Sequence, residues 1–388
     1  MESSDDLRAQ FPILAARPEI AYLDSAATAQ KPQAVLDAVL DYLTTSNANA
    51  GRGTYPWANR TTALIDAARD RIREFLGDAE PQRSGVHFVS GTTEGLRSIA
   101  LDCLAPQLAD GDEIIVPFAD HRANAVPWLE AAALLARQGR EIKVRPMPYD
   151  AAHDYDHRRL AELITDRTRF IAATHVHHVY GGNMNVHRIR AAAGPGIPIC
   201  LDAAQSVGHL PVSVADLDVD FVVFSGHKTM ALPGTGVVWA RNSRGPVYTP
   251  GGWSGTPNTS GIVSLVAALD WLEQAGLDRI ERWTVGLAAR LTDALSQVPS
   301  YDVLGCQANL RADSPQQKRQ GIVTFRHRDI GSNDLGFILA SAGLMVRADD
   351  HCQSEAGEQT TSVRVSLHVY NTVDEVERLV EALSALHR

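Results

Sequence analysis

Between residues 86 and 240 the chain repeats one rhythm: a short, largely apolar run, a turn, then a stretch with apolar residues three and four apart. The runs at 86–90, 113–116, 142–145, 169–173, 197–201, 219–224 and 236–240 are rich in Val, Ile and Phe. Runs of that length bounded by turn residues predict strands buried on both faces. The segments between them, for example 123–137 and 160–165, carry the helical period, and so predict helices. Strand and helix in alternation predict an α/β fold, a mainly parallel sheet wrapped by helices. Past Pro257 the rhythm changes. Helical stretches at 261–275 and 279–298 lead to strands near 322–325 and 363–367 and a final helix from Val373, a small C-terminal α+β domain. The expected organisation is a large domain over 20–260 and a small one over 261–388, with the N-terminal segment 1–19 packed on the small one. Residues 305–320 are polar and predict an exposed loop, and the chain has no internal repeat or low-complexity tract.

Three strand ends carry candidate chemistry. The run 219–224 leads into Ser225-Gly226-His227-Lys228, and Lys228 is one of only four lysines in a chain whose other basic residues are arginines. Arginine cannot release a proton near neutral pH, whereas a lysine amine can, and can then form a Schiff base with an aldehyde cofactor. The run 197–201 ends in Asp202, placed to hold a ribose, a metal or a protonated pyridine nitrogen. The run 86–90 ends in Gly91-Thr92-Thr93 before a helical pattern, a turn that aims backbone N–H groups at an anion. Each has an ordinary reading alone: a surface lysine, a capping aspartate, a threonine N-cap. Together, a pyridoxal 5'-phosphate (PLP) site explains them best, with ligands at the carboxyl ends of strands.

The chain resembles the class V aminotransferase family, and within it the cysteine desulfurases of the sulfur-mobilisation type. The resemblance runs through Tyr22-Leu23-Asp24-Ser25-Ala26-Ala27, Gln30-Lys31-Pro32, Gly91-Thr92-Thr93-Glu94-Gly95, Asp120-His121, Thr174-His175-Val176, Asp202, Gln205, Ser225-Gly226-His227-Lys228, Gly255-Thr256-Pro257-Asn258, His351-Cys352, Arg364 and Tyr370-Asn371-Thr372. It implies PLP as cofactor, the PLP-dependent transferase fold of type I, and a homodimer with shared active sites. It gives Lys228 the Schiff base and the α-proton, Asp202 the pyridinium nitrogen and Gln205 the ring's phenolic oxygen. His121 would stack on the ring and shuttle protons. Thr93, Ser225 and His227 would hold the phosphate, with Thr92 nearby and Gly255 and Thr256 reaching it from the second subunit. Arg364 would grip the substrate carboxylate, with Ala27 and an arginine from the neighbouring copy, Arg52, on the substrate side.

Composition limits the alternatives. A net charge of −10 argues against general nucleic-acid binding. No apolar run reaches the roughly 18 residues of a membrane span, and the acidic start is unlike a secretory signal, so a cytoplasmic enzyme is expected. The four cysteines lack CxxC spacing, so neither a metal site nor a disulfide framework is expected.

Three departures from the family bear on the reaction. Cys352 matches the desulfurase nucleophile, but Asp349 and Asp350 precede it and Glu355 and Glu358 follow, which should disfavour a thiolate. His177-His178 stands where the family has Ser-Asn; His178 should reach the phenolic oxygen and titrate near neutral pH. Only about a dozen residues separate Ala240 from Gly255, a shorter wall that leaves room for a bulky substrate, with Tyr248, Trp253 and Trp57 as candidate linings. These features favour C–S cleavage by β-elimination on an S-substituted cysteine. The alternatives are desulfuration of cysteine with a Cys352 persulfide, and transamination or decarboxylation of a conjugate. A sulfur-acceptor partner belongs to the desulfurase reading. A silent homologue that only binds a partner is disfavoured by the intact Lys228, Asp202, His121 and Arg364.

Overall fold

The computed structural model describes residues 7–151, 153–249, 255–305, 319–353 and 361–386. A two-residue strand, β1 (Ala21–Tyr22), comes first. The main sheet holds β2 (Ser84–Val89), β3 (Glu113–Val116), β4 (Lys143–Pro146), β5 (Thr168–Thr174), β6 (Ile199–Asp202), β7 (Phe221–Ser225) and β8 (Gly236–Arg241). Their order is β2-β8-β7-β6-β5-β3-β4. Only β8 runs against the rest, antiparallel to both β2 and β7. This mixed, mostly parallel sheet is the expected α/β architecture.

The apolar runs exist because the sheet is covered on both faces. Phe221 and Val223 of β7 join one buried cluster, while Val222 and Phe224 join the other. Cys200 against Ile199 and Leu201, and Val238 against Val237 and Trp239, divide the same way. Successive side chains point to opposite faces, so a strand with two buried faces must be apolar throughout.

Beyond residue 300 lie β9 (Tyr301–Val303), β10 (Ile322–His327), β11 (Leu344–Met345), β12 (Arg347–Asp349) and β13 (Ser362–Ser366). Four of them form an antiparallel sheet in the order β12-β13-β10-β9, while β11 pairs in parallel with β1. A separate cluster joins this sheet (Val323, Phe325, Val363, Val365) to the helices Leu277–Ser296 (Leu287, Leu291) and Val373–Ala385 (Leu379, Leu383). The last helix opens with a capping box between Thr372 and Glu375, which satisfies two otherwise orphaned N–H groups.

The helix Thr259–Ala275 sends Leu265, Leu269 and Leu272 into the first cluster, with the main sheet. Near the N-terminus, Phe11 packs edge-on against Tyr370 and Trp271, with ring centres 4.8 and 5.3 Å away, and Arg8 pairs with Glu375 at 2.7 Å. The helix expected over 123–137 is broken near its start into a 3-10 turn (Arg122–Asn124) and an α-helix (Val126–Arg137). Pro127 has no N–H to continue a ladder, and the His121 ring caps the turn instead. No helix among the described residues is long and apolar enough to cross a membrane.

Because the six strands β2 to β7 run in one direction, they end on the same edge of the sheet, and the antiparallel β8 starts there at Gly236. That edge holds the cavity described next.

Candidate active site

A cavity of about 260 Å³ opens at these strand ends. Its floor is Lys228, on the 3-10 turn Gly226–Lys228 directly after β7, and Asp202, the last residue of β6. Burial pulls the Lys228 amine down to about 8, although Asp202 favours its charged form. Burial pushes the Asp202 carboxyl up to about 6, against the Ala204 N–H that donates to it at 3.0 Å. The Lys228 charge also favours its ionised form, but burial outweighs both.

The turn after β2 forms one wall. Ser225 Oγ accepts the Thr92 N–H at 2.8 Å and lies 2.7 Å from Thr92 Oγ1, so the turn is sewn to the end of β7. Gly236 makes this possible: a Cβ there would stand 2.6 Å from Gly91 Cα. Thr92, Thr93, Ser225 and His227 line the same part of the cavity, a hydroxyl-rich cradle at the start of the helix Thr92–Ser98. The His227 carbonyl accepts from Thr28 Oγ1 and the Ala29 N–H, fixing the turn from behind. Gln205 also lines the cavity, and its amide donates to the Ala26 carbonyl at 2.9 Å. Ala27 lines it beside Ala26.

His121 stands over the site. Its Nδ1 accepts the Ala123 N–H at 3.1 Å, which leaves the ring proton on Nε2. Burial, then the nearby charges of Lys228 and three arginines, push its pKa down to about 3, so the ring is neutral. Its neighbour Asp120 is fully buried and accepts from Tyr149 OH (2.8 Å) and Tyr155 OH (2.7 Å), with His177 Nε2 at 3.2 Å. That anchor holds the His121 segment in place. His177, at the first of the two substituted positions, is therefore a scaffold residue.

His178 lines the cavity edge-on to His121, with ring centres 5.1 Å apart. Two expectations for it change. Burial, together with His177, His121, Arg364 and Lys228, drives its pKa well below the ordinary histidine value, so it does not titrate near neutrality. Its Nε2 is 2.9 Å from the His351 carbonyl; a carbonyl only accepts, so Nε2 carries the proton and donates there. The remaining Nδ1 is a bare acceptor and cannot donate to a phenolic oxygen.

Arg364 is buried on β13. It donates to the His178 carbonyl (3.1 Å) and to Asp24 Oδ1 (3.1 Å). Its Nε and the His178 Nδ1 are buried without a hydrogen-bond partner among the described residues. Unpaired donors on a buried guanidinium are costly unless a ligand takes them, and a carboxylate is the ligand that fits.

Sequence reading passes over two cavity residues, Arg347 and His351. Arg347 lies on β12, three residues long, and its only signal is its proximity to Cys352. Its Nη2 donates to Cys352 Sγ at 3.3 Å, and it clasps both oxygens of Asp349. The same arginine and the turn's backbone also engage the two aspartates. Burial opposes the charged Asp349 carboxylate, but the Arg347 hydrogen bonds outweigh it and hold the group below its ordinary range. Asp349 also accepts the His351 N–H (2.7 Å), and Asp350 accepts the Cys352 N–H (3.0 Å). The acids thus cap the turn, and an arginine faces the thiol. Glu355, Glu358 and Trp253 lie outside the described residues.

The remaining candidates are elsewhere. Arg52 and Trp57 are exposed, and Gly255 and Thr256 are exposed outside the cavity. Thr256 borders a second hollow of about 610 Å³ with Ser90 and Asn258. Tyr248 is buried, its OH 2.6 Å from Ser98 Oγ, and packs away from the opening.

A sequence model of the aminotransferase class-V family matches residues 21–379. The chain belongs to the class-V aminotransferase family. A cysteine desulfurase of Cronobacter sakazakii is 34% identical over 417 residues, covering 100% of this chain and 98% of its own. Cysteine desulfurase CsdA of Escherichia coli K12 is 35% identical over 404 residues, covering 97% and 96%. Among solved structures, a cysteine desulfurase from Thermococcus onnurineus superposes with a TM-score of 0.88 at 27% identity, covering 100% of this chain and 98% of that one. Class-V aminotransferases of this kind are PLP enzymes, and this chain is one. Its cavity fits the cofactor: an amine, a buried carboxylate and a hydroxyl-lined cradle all face one space.

Proposed function

We propose that this chain is a cysteine desulfurase that moves the sulfur of L-cysteine onto Cys352 as a persulfide and leaves alanine. The observation that carries the reading is the hydrogen bond from Arg347 Nη2 to Cys352 Sγ at 3.3 Å, from an arginine that also lines the Lys228 cavity. The desulfurases named above, matched over nearly their full length, support it. Of the three features that favour β-elimination, the carboxylates beside Cys352 are engaged by Arg347 and by backbone N–H groups, which weakens that preference.

Bound PLP supplies an electron sink at the substrate α-carbon. Lys228 would hold the cofactor through its amine, supported by Asp202 beneath and by Thr92, Thr93, Ser225 and His227 around the phosphate. Gln205 would face the ring edge and His121 its face. Arg364 would receive the substrate carboxylate through its unpaired Nε. The freed Lys228 Nζ would take the α-proton, a role suited to an amine whose pKa lies near 8. Cys352 Sγ, beside Arg347, would attack the substrate sulfur. The new S–S bond would form as the carbon–sulfur bond breaks; the β-carbon would keep the electron pair and gain a proton, and Lys228 would return the α-proton as alanine leaves. His121 Nε2 holds a proton at the cavity for the β-carbon.

The PLP-loaded protein should therefore turn L-cysteine into alanine, with a gain of one sulfur atom at Cys352 on intact-mass and peptide analysis. Cys352→Ala should lose more than 90% of alanine formation, and Lys228→Ala all of it. Pyruvate and a free thiol from S-substituted cysteines, with the cysteine variant fully active, would instead establish elimination. A keto acid or amine that keeps the C–S bond would point to transamination or decarboxylation.

Gly255 and Thr256 are exposed and outside their own cavity, which supports a homodimer in which they serve the second copy's site. Free Cys103, Cys200 and Cys352 support a reducing, cytoplasmic setting. We place the domain boundary after the helix Thr259–Ala275, because its apolar face joins the main-sheet cluster. A sulfur acceptor belongs to this reading as the consumer of the persulfide.

A further inference from the structure

We propose that His178 is a positioning residue that holds the Cys352 turn against the large sheet. The proposal concerns the nucleophile of the desulfurase reading, and its first test does not depend on that reaction.

The turn carries an unusual backbone. His351 and Cys352 are consecutive non-glycine residues with positive φ, 53° and 60°. Such residues persist only where their surroundings hold them. Within the turn, Asp349 and Asp350 take the N–H groups of His351 and Cys352, and His351 Nε2 meets Ser362 Oγ at 2.9 Å. These bonds shape the turn but leave open where it sits. Four contacts tie it to the large sheet's edge, two of them long and half-exposed: Arg122 Nη2 lies 3.9 Å from Asp350 Oδ2, and Gln353 Nε2 donates to Tyr180 OH at 3.4 Å. The Arg122 N–H donates to the Cys352 carbonyl at 3.1 Å, and His178 Nε2 donates to the His351 carbonyl at 2.9 Å. Of the side-chain contacts among these, only the His178 bond is buried at both ends.

The same residue touches the substrate arginine by its other end, since Arg364 Nη1 donates to the His178 backbone carbonyl at 3.1 Å. His178 thus stands between the group that would take the carboxylate and the segment that carries the thiol. The histidine at this position has moved its N–H from the site where an asparagine would present one. The side-chain nitrogen of Asn lies where imidazole Nδ1 lies, whereas that of Gln reaches the place of Nε2. Asn therefore restores a donor toward the cavity and loses the bond to His351, while Gln keeps that bond.

This difference makes the test. Holoenzyme without substrate is treated with iodoacetamide, and the alkylation rate at Cys352 is followed by mass spectrometry, with Cys103 and Cys200 as buried internal controls. His178→Asn should be alkylated at Cys352 about tenfold faster than the parent, and His178→Gln within twofold of it, with both controls protected. With L-cysteine, His178→Asn should form the Cys352 persulfide several-fold more slowly at unchanged KM, because the Arg364 contact is to a backbone carbonyl that the substitution keeps. Equal alkylation rates in all three proteins would overturn the proposal. So would Asn and Gln variants that behave alike, including a shared exposure of Cys103 and Cys200, which would mean the position matters only for packing. An absence of persulfide in the parent sinks the desulfurase reading and leaves the alkylation comparison standing.

Discussion

An ammonium group stripped of water holds its proton poorly, and Lys228 is the residue where this matters most. Burial brings its pKa to about 8, with Asp202 opposing and Arg364 and Arg347 adding to the shift. The neutral amine is the form that bonds covalently to PLP, so uptake by the apoprotein should follow the deprotonated fraction. At pH 7 that fraction is about one-tenth. The rate of PLP capture, read from absorbance, should rise about tenfold from pH 7 to its plateau with a midpoint near 8. A midpoint near 10 would show an ordinary, solvated lysine. The same shift makes the apoprotein gain stability as pH rises from about 8 toward the unfolded lysine value, because in that window the unfolded chain binds the extra proton. Lys228 and Asp202 are legible in the sequence because each ends an apolar run, and a strand end in an α/β fold is where ligands gather. Arg347 is not legible, because its meaning comes from β12 pairing with β13 beside Arg364.

At the scale of elements, the cradle depends on how closely the helix Thr92–Ser98 lies on the sheet. Gly95 faces β7 and β8, and a Cβ there would stand 2.6 Å from Val223 Cγ1 and 2.9 Å from Val238 Cγ2. Two effects compete in Gly95→Ala. Alanine favours an isolated helix by about 1 kcal/mol, while overpacking against two fixed valines costs about 1–3 kcal/mol. The clash should win, because both valines are buried on central strands. Chemical denaturation should show a net loss of about 1 kcal/mol or more, and PLP affinity should fall as Thr92 and Thr93 are lifted away from Ser225. An equally stable variant with unchanged PLP affinity would show that the helix has room to move. The individual strands are legible, since two buried faces demand unbroken apolar runs. The reversal of β8 is not, because an antiparallel strand covered on both faces has the same composition as its parallel neighbours. The Cys352 turn is only half legible: the sequence shows two adjacent aspartates, whereas folding makes them caps of the turn and sets Arg347 against the thiol.

For the whole molecule, the open question is whether one copy completes its own site. Thr256 borders the second hollow rather than the PLP cavity. If two copies share sites, Lys228→Ala and Thr256→Asp should each be inactive alone, yet regain about a quarter of parental activity when co-expressed, since half the dimers would carry one intact site. No recovery in purified mixed dimers would place each site within a single chain. What the sequence determined by itself is the α/β class, the family, the cofactor and most of the residues gathered at the cavity, because strand ends and turn chemistry are local and their order along the chain is preserved. What only the tertiary structure decided is the environment of those residues. The bond from His178 to His351 joins residues 173 positions apart, the neutral state of His178 comes from burial, and Arg347 meets Cys352 because the turn between them folds back. Charge, burial and hydrogen-bond direction are set by neighbours in space, and these are what incline the reading of the site from elimination toward sulfur transfer.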